Sequence, residues 1–412
     1  MSTAPRPTML SLDEALARLL APLKPVAETE SLPTFEALGR VLAEDLRSPL
    51  DVPPLANSSM DGYAVRAAEV ADEGVVMPVS QRIAAGQVGE PLEPGSAARI
   101  FTGAALPPGA DAIVMQEQAE VLDDGRVRLQ IVPTPRQWVR EQGEDVRRGS
   151  TVLARGSRLT PQALGLAATV GAARLPVVRR LRVALLSTGD ELAMPGEPLR
   201  PGAIYNSNRY TLRALLAQAG CECTDLGIVP DSLEATRQAL RGAAGGHDLI
   251  LSSGGVSVGE EDHVKAAVQA EGRLDLWQVA IKPGKPLAFG HVDGGPGRTP
   301  AWFLGLPGNP VASFVTFLLA VRPVLAALQG AVVQAPAPVM LPAGFDWLKP
   351  DRRREFLRVR RGADGRLELF PNQSSGVLSS TVWADGLVDN PPGQAIRAGD
   401  LVRYVSLREW LA

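Results

Sequence analysis

HDLILSSGGVSVGEED (residues 247–262) is a short apolar run that stops abruptly in glycines and acids. Leu and Ile bounded by Ser-Gly-Gly read as a buried strand feeding a polar loop. Working outward, the same grammar recurs in RVALLSTGDEL (182–192), CTDLGIVPDS (223–232), LWQVAIKPGKP (276–286) and AWFLGLPGNP (301–310). Helix signals fall between these runs, with Asp231-Ser-Leu-Glu234 as one start and the segment after Pro310 as another. Strands alternating with helices imply right-handed crossovers and a mostly parallel α/β sheet. Ligands bind outside the carboxyl ends of such strands, so these loops define a candidate site.

Each loop has a chemical and a structural reading. STGDEL places Asp190 and Glu191 just past a strand, where one acid caps a turn and the other points into the crevice. Asp231 reads either as a crevice acid or as the N-cap of the helix behind it. The glycines of SSGGVSVGEED let backbone approach a ligand, and N–H groups ahead of a helix attract anions. This loop is neither a Walker A nor a GxGxxG fingerprint. KPGKP holds Lys282 and Lys285 in a proline-stiffened turn, and LPGNP puts Pro310 at a helix start. Two carboxylates about 4 Å apart repel by roughly 4 kcal/mol at an effective dielectric of 20. Converging acids therefore need a cation or a raised pKa, and an all-oxygen ligand set favours Mg²⁺.

Composition narrows the classes. The 412 residues suggest several domains, and a hydrophobic content of 45% suffices for sizeable cores. A net charge of −3 leaves no footprint for nucleic acid or an anionic membrane. Cys221 and Cys223 are the only cysteines and read as core thiols, not as a disulfide framework or a zinc site. The histidines at 247, 263 and 291 form no zinc pattern, and no GxSxG elbow is present. MSTAPRPTML lacks the features of a signal peptide. The apolar run from Val311 to Leu328 is interrupted by Arg322-Pro323 and reads as too short for a bilayer, so a cytoplasmic location is expected.

Along the chain, Ser11-Leu-Asp-Glu14 is a capping box ahead of a helix, and a second helical pattern covers about Thr34 to Asp45. From Asp51 to about Gly143 the texture is β-like. NSSMDGYA (57–64), FTGAALPPGADAIVMQE (101–117) and REQGEDV (140–146) are its polar clusters. There Asp61-Gly62 reads first as a turn and Asp145 as a solvated loop residue. Thr160-Pro161 opens a further helix to about Gly171. After Gln334, β runs divided by Asp-Gly, Pro-Gly and Ala-Gly-Asp turns read as a small barrel or sandwich.

The ordered set NSSMDGYAVR, FTGAALPPGADAIV, STGDEL, SSGGVSVGEED, KPGKP and LPGNPV resembles the molybdopterin molybdenumtransferases, the bacterial MoeA proteins and the gephyrin E domain. The resemblance covers about residues 10–410. It implies a discontinuous helical linker domain (1–50 and 146–176) and an inserted β-rich domain (51–145). It also implies an α/β molybdopterin-binding domain (177–333) and a C-terminal β-barrel (334–412). The implied assembly is a homodimer whose site is shared between subunits, with the molybdopterin adenylyltransferase as a further contact. The implied reaction is Mg²⁺-dependent insertion of molybdate into adenylylated molybdopterin with release of AMP.

By motif, the resemblance assigns catalytic roles to Asp61, Thr102, Asp145, Glu191, Asp231 and Asp262, with Glu191 and Asp231 as metal ligands. It assigns ligand contacts to Thr188, Gly189, Ser253, Gly254, Gly255, Ser257, Lys282, Lys285, Pro307, Gly308, Asn309 and Pro310. The match around Arg354 and Ser375-Gly376 is looser. Two rivals are adenylyl transfer to molybdopterin and a gephyrin-like scaffold without catalysis. The β-rich insert and barrel disfavour the first, and the lack of a second fused domain disfavours the second. Tungstate in place of molybdate is an alternative these loops do not separate.

Overall fold

The computed structural model describes residues 9–255, 263–332 and 335–411. They form two compact units. The first takes the chain up to Glu30, Gly39–Ala43 and everything from Val177, and the second takes Ser31–Leu38 and Glu44–Pro176.

The first unit is built on six strands: β1 (Arg182–Thr188), β2 (Glu222–Val229), β3 (Leu249–Ser253), β4 (Gly272–Gln278), β5 (Pro286–Val292) and β6 (Ala301–Leu306). Their order is β2-β1-β3-β6-β5-β4. The β2–β1, β1–β3 and β3–β6 pairs are parallel, whereas β6–β5 and β5–β4 are antiparallel. The sheet is therefore mixed, which corrects the expectation of a mostly parallel one. A parallel neighbour needs a crossover of a dozen or more residues. Residues 279–285 and 293–300 are too few for that, so the chain doubles back twice. Because two reversals restore direction, β4 runs with the parallel strands, and KPGKP leaves the same edge as the other loops.

Alternation along β1 decides what each face buries. Val183 and Leu185 join a core with α1 (Leu12–Leu20), α2 (Ser207–Gln218) and α5 (Pro310–Leu328). Ala184 and Leu186 face α3 (Leu233–Ala244) and α4 (His263–Glu271). Helix α1 has the expected capping box, with the Ser11 side chain accepting from Glu14 N–H and Glu14 accepting from Ser11 N–H. Cys221 belongs to the first of these cores, Cys223 packs against it, and neither is in a disulfide.

Arg322-Pro323 does not interrupt α5. The helix widens into a π turn at Phe317–Val321 and continues. Proline removes one helical hydrogen bond and crowds the carbonyl four residues earlier, and a π turn absorbs both defects. The resulting 19-residue helix has the length and apolarity of a membrane span, yet 78% of it is buried inside the protein. It is the central core helix of this unit.

The carboxy-terminal strands Arg354–Arg361, Gly386–Asn390, Leu401–Ser406 and Val339–Pro342 form a second sheet, with Leu367–Leu369 on the far side of Arg354–Arg361. A parallel bridge from Ala343 to Leu367 joins the two ends of this path into a ring. The core of the ring holds Leu357, Val359, Val388, Ile396 and Val402. Ile281–Lys282, from the KPGKP loop, adds to the same sheet by pairing with Arg354–Glu355.

In the second unit, a four-stranded sheet runs Val79–Ile83, Ala97–Ile100, Gly62–Val65, Ala112–Met115. Tyr63 and Val65 face one small core, and Ala64 faces another. Thr160 caps the helix Pro161–Thr169 as its Thr-Pro start requires. The helical pattern expected from Thr34 to Asp45 is instead one 3₁₀ turn, Thr34–Glu36, followed by short extended pieces. Pro33 before the segment and Gly39 at φ 74° within it cut the run too short for an α-helix.

Candidate functional site

The motif residues fall into two groups, one in each unit. In the first unit, β1, β3 and β6 deliver their loops to the same edge. Gly254 sits at φ +91° and donates its N–H to the Leu306 carbonyl at 3.1 Å. A Cβ on Gly254 would lie 3.3 Å from the Thr188 carbonyl oxygen, and one on Gly255 would lie 3.0 Å from Thr188 Oγ1. A Cβ on Gly308 would lie 3.9 Å from the Gly254 Cα. Thr188, Gly254, Gly255 and the Pro307–Pro310 turn are thus brought together, and Gly254 and Gly255 keep side chains out of the space between them. Ser257 and Asp262 lie outside the described residues.

The acids of this edge stand open. Asp190 and Glu191 are exposed, and the Glu191 carboxylate curls over Gly189, where a Cβ would meet its oxygens at 2.5–2.8 Å. The N-cap of α3 is Ser232, whose side chain accepts from Ala235 N–H, so the capping role read for Asp231 is taken by its neighbour. Asp231 is left exposed, its carboxylate not needed by the helix.

Lys282 and Lys285 part company. Lys285 is exposed, while the Lys282 ammonium lies 3.2 Å from Glu355 and 3.5 Å from Asp351. Glu355 is completely buried and also accepts from Trp347 Nε1 at 2.8 Å and Asn390 Nδ2 at 3.4 Å. The Arg353 guanidinium holds the Asp351 carboxyl well below the usual carboxylate range. Lys282→Met strands the Glu355 carboxylate in the interior. Because the lysine side chain is 36% exposed, the expected cost is only roughly 2 kcal/mol, less than for a fully buried pair. Urea unfolding checks this, and adding Glu355→Gln should return most of the loss.

Two residues of this edge escaped the sequence reading. Asn208, in the first turn of α2, donates from Nδ2 to Ser253 Oγ at 2.9 Å and to the Gly308 carbonyl at 2.7 Å. Arg358 is 1% exposed, and its side-chain partners among the described residues are neutral: Ser380 Oγ, the Phe356 carbonyl and the Ser374 carbonyl. Burial pushes its pKa down to about 10. Its backbone is also paired with the Gln373 side chain through N–H and C=O. The neighbouring Ser375 carbonyl accepts from Val311 N–H at the start of α5, so the NQSSG loop leans on the LPGNP turn. A helix-weak Asn inside a helix start and the last arginine of RREFLR were the available signals.

In the second unit, strand Asn57–Ser58 is the hub. Val139–Arg140 pairs with it on one side. On the other, Ser58 N–H donates to the Ala104 carbonyl and Gly103 N–H to the Ser58 carbonyl. NSSMDGYA, FTGA and REQGEDV therefore meet. Asp61 Oδ1 accepts from both Thr102 N–H and Thr102 Oγ1 at 2.8 Å. Asp145 is exposed, and its backbone N–H is held by the Val52 carbonyl. Beside them Arg82 and Arg99 both lie over the Phe101 ring, at 4.5 and 4.6 Å from its centroid.

Asp61-Gly62 is not a turn. Gly62 opens a strand, and a Cβ there would strike the Val114 carbonyl oxygen at 2.0 Å. The Thr102 N–H, and after it the Thr102 hydroxyl, holds the Asp61 carboxyl below its ordinary value. A depressed carboxyl contributes stability above the unfolded aspartate range and loses it as pH falls through the folded value. Asp61 is therefore expected to stay ionised from about pH 5 to 8. An NMR titration of its carboxyl carbon should place the midpoint below that of an ordinary aspartate and move it upward in Thr102→Val, and a midpoint at or above the ordinary aspartate range would contradict the Thr102 clamp.

Three family models match the chain in order: the MoeA N-terminal region (domain I and II) at residues 10–171, a probable molybdopterin binding domain at 184–327, and the MoeA C-terminal region (domain IV) at 340–407. The chain belongs to the MoeA family. Among its relatives, the molybdopterin molybdenumtransferase of Haemophilus influenzae is 44% identical over 78% of both chains. That of Synechococcus elongatus is 38% identical over 97% of this chain and all of its own. The crystal structure of a molybdopterin biosynthesis MoeA protein from Pyrococcus horikoshii OT3 superposes with a TM-score of 0.81 at 27% identity, covering 97% of this chain and all of that one.

Proposed function

We infer that this chain is a molybdopterin molybdenumtransferase of molybdenum cofactor biosynthesis, and we propose that it inserts molybdate into adenylylated molybdopterin with Mg²⁺-dependent release of AMP. The observation that carries the reading is the joint placement of the ordered motifs. Thr188, Gly254, Gly255 and the LPGNP turn meet at one sheet edge, and Asp61 is clamped to Thr102 in the insert. Bare backbone at Gly254 and Gly255 suits a bulky anionic ligand such as a phosphorylated pterin.

The donor set suits a hard cation. Glu191 and Asp231 are exposed carboxylates without a capping duty, and Mg²⁺ commonly takes one or two carboxylates and keeps its waters. Among the described residues no three His, Cys, Asp or Glu side chains are grouped as a complete cage. Glu191 and Asp231 would hold the ion, which when bound supplies Lewis acidity toward the phosphate oxygens. The chain's own residues supply the rest. The glycine turns receive the ligand, and Asp61 presents a fixed negative charge oriented by Thr102.

The proposal includes a cytoplasmic homodimer, with contact to the molybdopterin adenylyltransferase as the source of substrate. Light scattering of the purified protein tests the assembly. The deciding experiment measures AMP release from adenylylated molybdopterin with Mg²⁺, with and without molybdate. A molybdate-dependent burst supports insertion. Adenylylation of molybdopterin from ATP points to the adenylyltransferase rival, and no release with any oxyanion points to a scaffold.

A further inference from the structure

We propose that Asn208 is a positioning residue of the molybdenumtransferase site: its single carboxamide NH₂ clamps the SSGG loop to the LPGNP turn. The proposal rests on the functional reading above.

The clamp is built from the sequence YNSN (205–208). Asn206 caps α2 by accepting from Arg209 N–H at 3.1 Å, which fixes the helix start. Asn208, two residues on and only 9% exposed, then reaches the end of the sheet. Its Nδ2 has two hydrogens, and each has one acceptor, Ser253 Oγ at the tip of β3 and the Gly308 carbonyl. Beyond this, the Gly254 N–H to Leu306 carbonyl bond is the backbone link between the two loops. One strand end and one turn are thereby held in register by a third element.

The chemistry excludes close substitutes. Aspartate has the same shape, but as a carboxylate it accepts from Ser253 and faces the Gly308 carbonyl oxygen with no donor. At a site only 9% exposed and facing a carbonyl oxygen, burial raises the introduced carboxyl toward neutral pH, and once protonated it regains one O–H. Asn208→Asp therefore carries its own pH signature: activity recovers toward native as pH falls, which simple loss of packing does not produce.

The experiment uses full-length protein, adenylylated molybdopterin, molybdate and Mg²⁺, with amide hydrogen exchange read at 253–255 and 306–309. For Asn208→Asp at pH 8 we expect KM for the pterin to rise about tenfold or more, the loss of roughly one buried hydrogen bond. The activity ratio to native should recover severalfold by pH 6, and exchange in both loops should quicken. Should Asn208→Asp fail to fold, Asn208→Ser, with one donor on a shorter arm, takes the same test without the pH arm. Unchanged exchange overturns the clamp whatever the kinetics show. Quickened exchange with native KM and kcat overturns its role in the reaction. A native enzyme that releases no AMP overturns the functional reading instead and leaves exchange to decide the clamp.

Discussion

If the chain carries out the proposed insertion, Asp61→Ala is expected to lower molybdate-dependent AMP release by about a hundredfold or more, in line with removing one preorganised charged group from a reacting site. The variant should remain folded, because the Asp61 carboxylate lies at a surface loop and its partners, Thr102 N–H and Oγ1, can turn to water. Circular dichroism and a melting curve close to native separate this outcome from unfolding. Asp61→Asn keeps the shape and an acceptor for Thr102 but removes the charge. If charge is what the reaction needs, the asparagine variant falls nearly as far as alanine. Near-normal turnover in both would remove Asp61 from the catalytic set.

The next residue should produce the largest loss of stability. Gly62→Ala puts a methyl group 2.0 Å from the Val114 carbonyl oxygen and 2.9 Å from its carbon, both backbone atoms of the paired strand. Nothing flexible can move aside, so the strands must separate at a cost of roughly 3 kcal/mol or more. Gly165 is the control within the same unit. It is exposed in the helix Pro161–Thr169 with no atom within 4 Å of a new Cβ. Gly165→Ala should stabilise by about 0.5–1 kcal/mol. The same substitution with opposite signs, read as opposite shifts of the melting temperature, tests whether Gly62 is chosen for space.

That contrast also shows where sequence reasoning reached its limit. Local chemistry was legible: the Ser11 capping box, the Thr160-Pro161 start and the strand β1 all form where their residues place them. Gly62 was misread because a glycine demanded by a neighbouring strand looks, in one dimension, like a glycine demanded by a turn. The cap of α3 fell to Ser232 and not Asp231, since only the backbone path decides which of two adjacent good caps faces the helix. β5 was hidden because PLAFGHV follows KPGKP without a helix, and the pairing that makes it a strand lies on both its neighbours. Asn208 and Arg358 carry long-range bonds that no spacing announces.

The pairing of Ile281–Lys282 with Arg354–Glu355 has one more consequence. The peptide joining β4 to β5 is woven into the carboxy-terminal ring, and Lys282 is pinned there by Glu355. A chain truncated before the ring would leave Ile281–Lys282 without the strand it pairs with, and Lys282 without Glu355. A deletion that silences the enzyme would thus say nothing about chemistry performed by the last seventy or so residues. Their contribution is separable only by point changes that leave this splice intact.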